Sequence, residues 1–286
     1  MSLIEDAANR LRQLEAGGVS FGSRTEPARP EPWETKKRPA EPAPAQLRTL
    51  DLERLAAAGY ITPALKDSSL LHEFRVIKRP LIQHALGRTA TQALNRNLVM
   101  VTSALPGEGK TFVALNLAMS LAMEVDCRVL LVDADVVSPS FPEVLGIEPA
   151  KGVMDVLSQP DTRFDDAVLG TNVDRLTLLL AGTPHPGASE LLASDGMTRL
   201  LAEVSRRYPD RIVVFDSPPL LVTTESRVLA THMGQVVVVV EAERTTQAVL
   251  ESALATVESC PLVHTMLNKA PQSTVGSYYG AYAYGA

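Results

Sequence analysis

The sequence predicts an α/β fold, a mostly parallel sheet flanked by helices, and three observations carry that expectation. Beyond residue 97, strand-like and helix-like segments alternate, which implies parallel strands joined by right-handed crossovers. Several strand segments are apolar at every position, as suits strands buried on both faces. A glycine-rich loop, residues 104–111, sits directly between one such strand and an apolar-periodic helix.

The chain opens with a short helix candidate, Ser2 to Glu15. Leu3, Ile4, Ala7, Ala8, Leu11 and Leu14 share one face behind a Ser2/Glu5 capping box. It is too short to be stable alone, so it is expected to dock, either on its own domain or on a partner or membrane. Residues 17–47 are rich in Pro, Glu, Lys and Arg and read as a linker, in which Trp33 has no evident role. Segments 50–59 and 69–86 are predicted helical. Strands are predicted at 98–103, 128–133, 175–181, 211–216, 235–241 and 263–268, with helices between them, notably 109–124, 188–207 and 245–259. The organisation is then a short amphipathic helix (1–16), a linker (17–47), one domain with its N-terminal helices (48–270), and a tail (271–286).

Composition bounds the function. The 286 residues carry a net charge of −6 and a pI near 5.5, which argues against broad nucleic-acid binding. Cys127 and Cys260 lie beside predicted strands and are expected as buried thiols in a reducing compartment. No metal-ligand spacing is present. No apolar run approaches the roughly 18–20 residues that span a bilayer, and the N-terminus lacks a basic-then-apolar signal layout. A cytoplasmic location is expected, with any membrane attachment borrowed from a partner.

The loop reads Ala104-Leu105-Pro106-Gly107-Glu108-Gly109-Lys110-Thr111. Glycines let such a backbone curl so that several N–H groups point at one phosphate, and the following helix aims its positive end at the same anion. Lys110 can reach the β- and γ-phosphates of a nucleoside triphosphate, and the Thr111 hydroxyl can bind Mg²⁺. The predicted nucleotide-binding set is Pro106, Gly107, Glu108, Gly109, Lys110, Thr111 and Phe112. Ala104 stands where the usual pattern has Gly. Two further strands end in carboxylates: Asp133-Ala134-Asp135 after 128–132, and Asp216-Ser217-Pro218-Pro219 after 211–215. Asp216 is the natural Mg²⁺-water ligand, while Asp133 and Asp135 can hold the metal or accept a proton. Alone, any of them would read as a helix cap or turn residue. Lys110, Asp133, Asp135 and Asp216 are the predicted catalytic residues, and Thr111, Asp133 and Asp216 the predicted metal ligands. The last strand ends Leu267-Asn268-Lys269-Ala270-Pro271. The Asp that would select guanine is absent from that segment, so ATP is expected, with Asn268 either at the base edge or a plain turn residue.

The three segments Pro-Gly-Glu-Gly-Lys-Thr, Leu-Leu-Val-Asp-Ala-Asp and Val-Phe-Asp-Ser-Pro-Pro together resemble the Walker A, A′ and B motifs of the bacterial tyrosine kinase family. The likeness covers roughly residues 70–286 and is nearest to the exopolysaccharide-locus autokinases found beside exosortase systems. Two departures stand out. Val137 replaces the family's A′ Arg, and the subunit-contact motif Glu-x-x-Arg-x-x-Arg is matched only as His72, Arg75 and Lys78, with Glu73 adjacent. The resemblance implies an ATP- and Mg²⁺-dependent autokinase, a homo-oligomer, and a membrane-embedded chain-length or export activator that holds it at the inner membrane. It also implies a role for the tail. Four of the six tyrosines, Tyr278, Tyr279, Tyr282 and Tyr284, fall in the last nine residues among Gly and Ala. Such a tail has too little apolar bulk to pack and is expected to be mobile; in the family a tyrosine cluster of this kind is the phospho-acceptor. The competing expectation is an ATP-driven positioning or scaffold ATPase of the partition and division-site type, without kinase activity. Those proteins carry an extra Lys early in the loop, where this chain has Leu105.

Overall fold

The computed structural model describes residues 46–87, 95–208 and 211–271. The N-terminal helix candidate, Trp33, nearly all of the linker and the tyrosine-rich tail lie outside the described residues. An eight-stranded sheet organises the rest: β1 Gln46–Arg48, β2 Leu98–Ser103, β3 Arg128–Asp133, β4 Leu169–Thr171, β5 Leu176–Leu179, β6 Arg211–Asp216, β7 Gln235–Glu241 and β8 Val263–Asn268. The order across the sheet is β1-β4-β5-β3-β6-β2-β7-β8. The run from β5 to β8 is parallel, whereas β4 is antiparallel to β5 and β1 parallel to β4.

The period-2 alternation of side chains in these strands divides the core into two layers. Val99, Val101, Val129, Leu131 and Val214 pack into one buried cluster. Leu98, Met100, Leu130, Val132, Val213 and Phe215 pack into the other. Ten helices among the described residues cover these faces: α1 Leu52–Ala57, α2 Ser69–Ala85, α3 Lys110–Ala122, α4 Phe141–Leu145, α5 Val153–Ser158, α6 Phe164–Ala167, α7 Ala188–Leu192, α8 Asp195–Arg207, α9 Thr224–Ala230 and α10 Gln247–Ala255. Helix α3 is buried at every position from Val113 to Ala122. A helix apolar all round must be enclosed, and α1 and α2 supply the cover that the sheet leaves missing.

Four differences from the sequence expectation have local causes. The helix expected over 188–207 is broken between α7 and α8, because the Ser194 side chain accepts from Met197 N (3.3 Å) and starts a new helix. The strand expected at 175–181 is shorter, because Arg175 takes a left-handed conformation (φ 65°) and Leu180 makes only an isolated bridge to Gly152. The helix expected over 245–259 spans only Gln247–Ala255: Thr246 caps it, and Thr256 N bonds back to Ala253 O (3.0 Å) beyond its end. The linker expected to reach residue 47 overlaps β1, whose residues pair with Leu169–Thr171. No described helix is long and apolar enough to cross a membrane.

Candidate active site

The sheet brings the predicted residues to one edge. Strands β3, β6 and β2 are neighbours, and Asp133 stands in register with Asp216, which stands in register with Val101. Two strand-end carboxylates are therefore side by side, next to the strand that leads into the glycine-rich loop, where parallel α/β sheets bind ligands. Ala134 N donates to Asp216 O (2.8 Å), and Ser217 N to Val101 O (3.1 Å), which locks the three strand ends together.

The loop then delivers Lys110 and Thr111 from the first turn of α3. Gly107 and Gly109 have φ of 84° and 95°, a left-handed conformation that favours glycine. At 109 a Cβ would also fall 2.2 Å from the Asn268 amide nitrogen. Lys110 Nζ donates to Asp135 Oδ2 at 2.7 Å, and the Thr111 hydroxyl donates to Asp216 Oδ2 at 2.7 Å. Lys110, Thr111, Asp133, Asp135 and Asp216 thus converge.

The electrostatics follow from burial. Asp133 and Asp216 are both fully buried. Burial pushes the Asp133 carboxyl up to about 7, and the charge of Asp216 adds to the shift. Burial pushes Asp216 up to about 6, against the pull of Lys110 and the Thr111 hydroxyl. For Lys110, burial works against the ammonium, but Asp216 and Asp135 outweigh it and the pKa is raised. Asp133 accepts only long bonds, from Asp135 N at 3.3 Å and Phe141 N at 3.4 Å.

One atom tests the expected Mg²⁺. Asp216 Oδ1 is buried with no hydrogen-bond partner, beside a threonine hydroxyl already on Oδ2. A buried orphan carboxylate oxygen is costly unless something binds it. A hydrated Mg²⁺, held by a carboxylate, a hydroxyl and substrate phosphates, fits that need. Among the described residues no cluster of three or more His, Cys, Asp or Glu side chains forms a protein cage for a metal.

A brace around the loop has no signature in the sequence. The Glu108 carboxylate turns inward, accepting from Leu105 N (2.7 Å) and from the Thr245 hydroxyl. Asn268 Nδ2 donates to Glu108 O at 2.9 Å. Lys269 Nζ donates to Gly107 O at 2.6 Å and pairs with Glu241 at 3.2 Å, and Glu241 also pairs with Arg244 at 3.0 Å. The loops after β7 and β8 therefore hold the glycine-rich loop in shape. Glu108 and Asn268, expected to meet nucleotide, have these side-chain contacts with the protein itself. Pro106 lies on the same loop and Phe112 follows Thr111 in α3. Val137 is exposed, two residues past the ion-paired Asp135.

The subunit-contact positions separate. His72 is exposed and pairs with Asp67 (2.9 Å), and Arg75 is exposed. Lys78 is 4 % exposed and turned inward, so it is not available on the surface of α2.

The chain is similar to known proteins in sequence and in fold. A family model described as ParA: NUBPL iron-transfer P-loop NTPase matches residues 95–171. The chain is 34% identical over 187 residues to tyrosine-protein kinase YwqD of Bacillus subtilis (strain 168), covering 64% of this chain and 77% of that protein. It is 32% identical over 164 residues to tyrosine-protein kinase wzc of Salmonella typhimurium, covering 57% of this chain and 22% of that longer protein. Among solved structures, the kinase domain of VpsO superposes with a TM-score of 0.60 at 30% identity, covering 77% of this chain and 97% of that one. With this identity over most of a tyrosine kinase's length, and the loop and carboxylates assembled as above, the chain belongs to the bacterial tyrosine kinase family.

Proposed function

We propose that this chain is an ATP-dependent autokinase that moves the γ-phosphoryl group of ATP onto Tyr278, Tyr279, Tyr282 and Tyr284 of its own tail. The observation that supports it most is the convergence of Lys110, Thr111, Asp133, Asp135 and Asp216 at three adjacent strand ends. Lys110 and the N–H groups of the loop hold the β- and γ-phosphates, for which Lys110 exchanges its bond to Asp135. Thr111 and Asp216 would hold Mg²⁺, with Asp133 beside them. Bound there, Mg²⁺ would supply positive charge against the negative charge that develops on the phosphates. Asp133, with a pKa near 7, takes the proton of the tyrosine hydroxyl. The phenolic oxygen bonds the γ-phosphorus, the bridge to the β-phosphate breaks, and its electrons leave with ADP. The protein works by positioning and charge neutralisation, with no covalent intermediate.

The positioning-ATPase alternative shares the nucleotide core that the family model matches. Leu105, where those ATPases carry a Lys, and the tyrosine tail favour the kinase. As a kinase of this family the chain acts as a homo-oligomer on the cytoplasmic side of the inner membrane, held there by a membrane-embedded export activator, and regulates exopolysaccharide synthesis and export.

Two measurements check the reading. Isothermal titration with Mg²⁺ is expected to show ADP binding more tightly than GDP, since no carboxylate follows Asn268 to select guanine. Equal affinity, or tighter GDP, refutes that choice. The tail is expected to be phosphorylated in trans. The described chain ends just after Lys269, which touches the glycine-rich loop, so reach permits either route. A short tether makes a strained return to its own site costlier than transfer to a neighbour. Lys110→Met protein with its tail intact, mixed with active enzyme truncated after Pro271, should therefore gain tail phosphate, mapped by mass spectrometry. A Lys110→Met tail that stays bare ends the trans reading.

A further inference from the structure

Four residues of α3 and its following turn, Phe112, Asn116, Ser120 and Glu124, are spaced by four and so form one stripe along the helix. The segment ahead of β2 touches every one of them. The Tyr60 ring lies 5.1 Å from that of Phe112. Ile61 N donates to Asn116 Oδ1 at 2.6 Å, and Asn116 Nδ2 returns a bond to Phe112 O at 2.9 Å. Lys78 Nζ donates to Ser120 O at 2.6 Å and pairs with Glu124 Oε1 at 2.8 Å.

The last contact is the unusual one. Ser120 O belongs to the final turn of α3, whose carbonyls have no partner within the helix and carry the negative end of its dipole. A buried ammonium there is a C-terminal clamp, worth the cost of burying a lysine only because Glu124 and the carbonyl both meet it. The other end of the same helix carries Lys110 and Thr111. From Thr111 to Ser120 is nine residues, about 13 Å of stiff helix, so a tilt released at the clamp is delivered at the phosphates.

We infer that Lys78 is a positioning residue for the phosphate site: by clamping the C-terminal end of α3 it sets where Lys110 and Thr111 stand, and it does not serve as a subunit contact. The inference rests on the nucleotide-loop reading of residues 104–111 but not on which tyrosines accept phosphate.

The test is a double-mutant cycle read by binding of a fluorescent ADP with Mg²⁺, which needs no kinase turnover. Lys78→Met should weaken binding about tenfold, since displacements near 1 Å at such sites cost up to about a hundredfold. Lys78→Arg, which keeps the cation, should recover most of it. In a Thr111→Ala background the Lys78→Met effect should shrink, because one of the two groups it positions is gone while Lys110 remains; neighbours that act through one another are non-additive. Should Lys78→Met fail to fold, Glu124→Gln carries the test, with about a threefold loss expected. Additive effects in the cycle, or unchanged affinity in the folded Lys78→Met or Glu124→Gln protein, overturn the inference. So does a Lys78→Met protein whose mass by light scattering drops while its ADP affinity stays wild type, the result a subunit contact predicts. If wild type binds no nucleotide, the reading of the loop fails first and separately.

Discussion

Lys110→Met is expected to abolish tail phosphotyrosine while leaving a folded protein. Among the described residues the Lys110 side chain is the cation that pairs with this carboxylate group, through Asp135, and Asp216, Asp135 and Asp133 raise its pKa against the effect of burial. Phosphoryl transfer spreads negative charge over the γ-oxygens. Removing a preorganised positive donor from such a site costs about 10²–10³-fold in rate even where it is only one donor of several. In the proposed mechanism the same residue also binds the ground-state phosphates, so a loss beyond that range is expected. The structural cost is smaller: Asp135 Oδ2 loses its partner at a site only 8% exposed, a penalty of about 1–3 kcal/mol. The melting temperature should therefore fall by several degrees without loss of the cooperative transition. Phosphosite mass spectrometry of wild-type and variant protein, made in a host free of other tyrosine kinases, measures both tail occupancy and its loss. Full phosphotyrosine on the Lys110→Met protein would remove Lys110, and with it the site as drawn, from the chemistry.

Why the sequence places Lys110 at the head of a helix, and does not place Lys78 against the end of that helix, is a matter of range. The loop, its flanking strand and its helix are contiguous, so spacing alone places Lys110 and Thr111. Asp133 and Asp216 are distant in sequence, yet each ends a run apolar at every position, and such runs become adjacent strands buried on both faces. The brace on the loop is different. Glu108, Thr245, Asn268 and Lys269 meet across 137 to 162 residues, and ordinary loop residues carry no periodic signal of such contacts. Lys78 reaches Ser120 over 42 residues. On a helical wheel it reads as solvated charge, and only the enclosure of α3 by α2 turns it inward. The two short strands β1 and β4 escape for a simpler reason: three residues each are too few to show alternation. The break at Ser194 was legible in principle, since Ser-Asp is a helix start, but the apolar residues on both sides mask it.

Asp133→Asn should slow catalysis and stabilise the protein at once. In its proposed role of general base, Asp133 would be worth about 10²–10⁴-fold in kcat, and Asn has no lone pair basic enough to replace it. In the wild type, kcat/KM should rise with pH through about 7, as the buried carboxyl loses its proton, and the variant should lack that limb. The stability effect comes from the same group. Its pKa is about 7 in the folded chain against an ordinary 3.8, so between those values the native state keeps a proton that the unfolded chain has released. Stability on this account falls as pH rises through that window and stays low above it. Asn removes the buried charge, giving a melting temperature higher than wild type at pH 8, by about 2–4 °C per kcal/mol recovered, and no higher at pH 4. The gain is trimmed because one of the two long bonds from Asp135 N and Phe141 N then faces an amide N–H. Slower chemistry with a firmer fold is the pattern of a site strained for function. Wild-type kcat in the variant assigns the proton to another group, and an equal stabilisation at pH 4 and pH 8 shows that the carboxyl was never held protonated by burial.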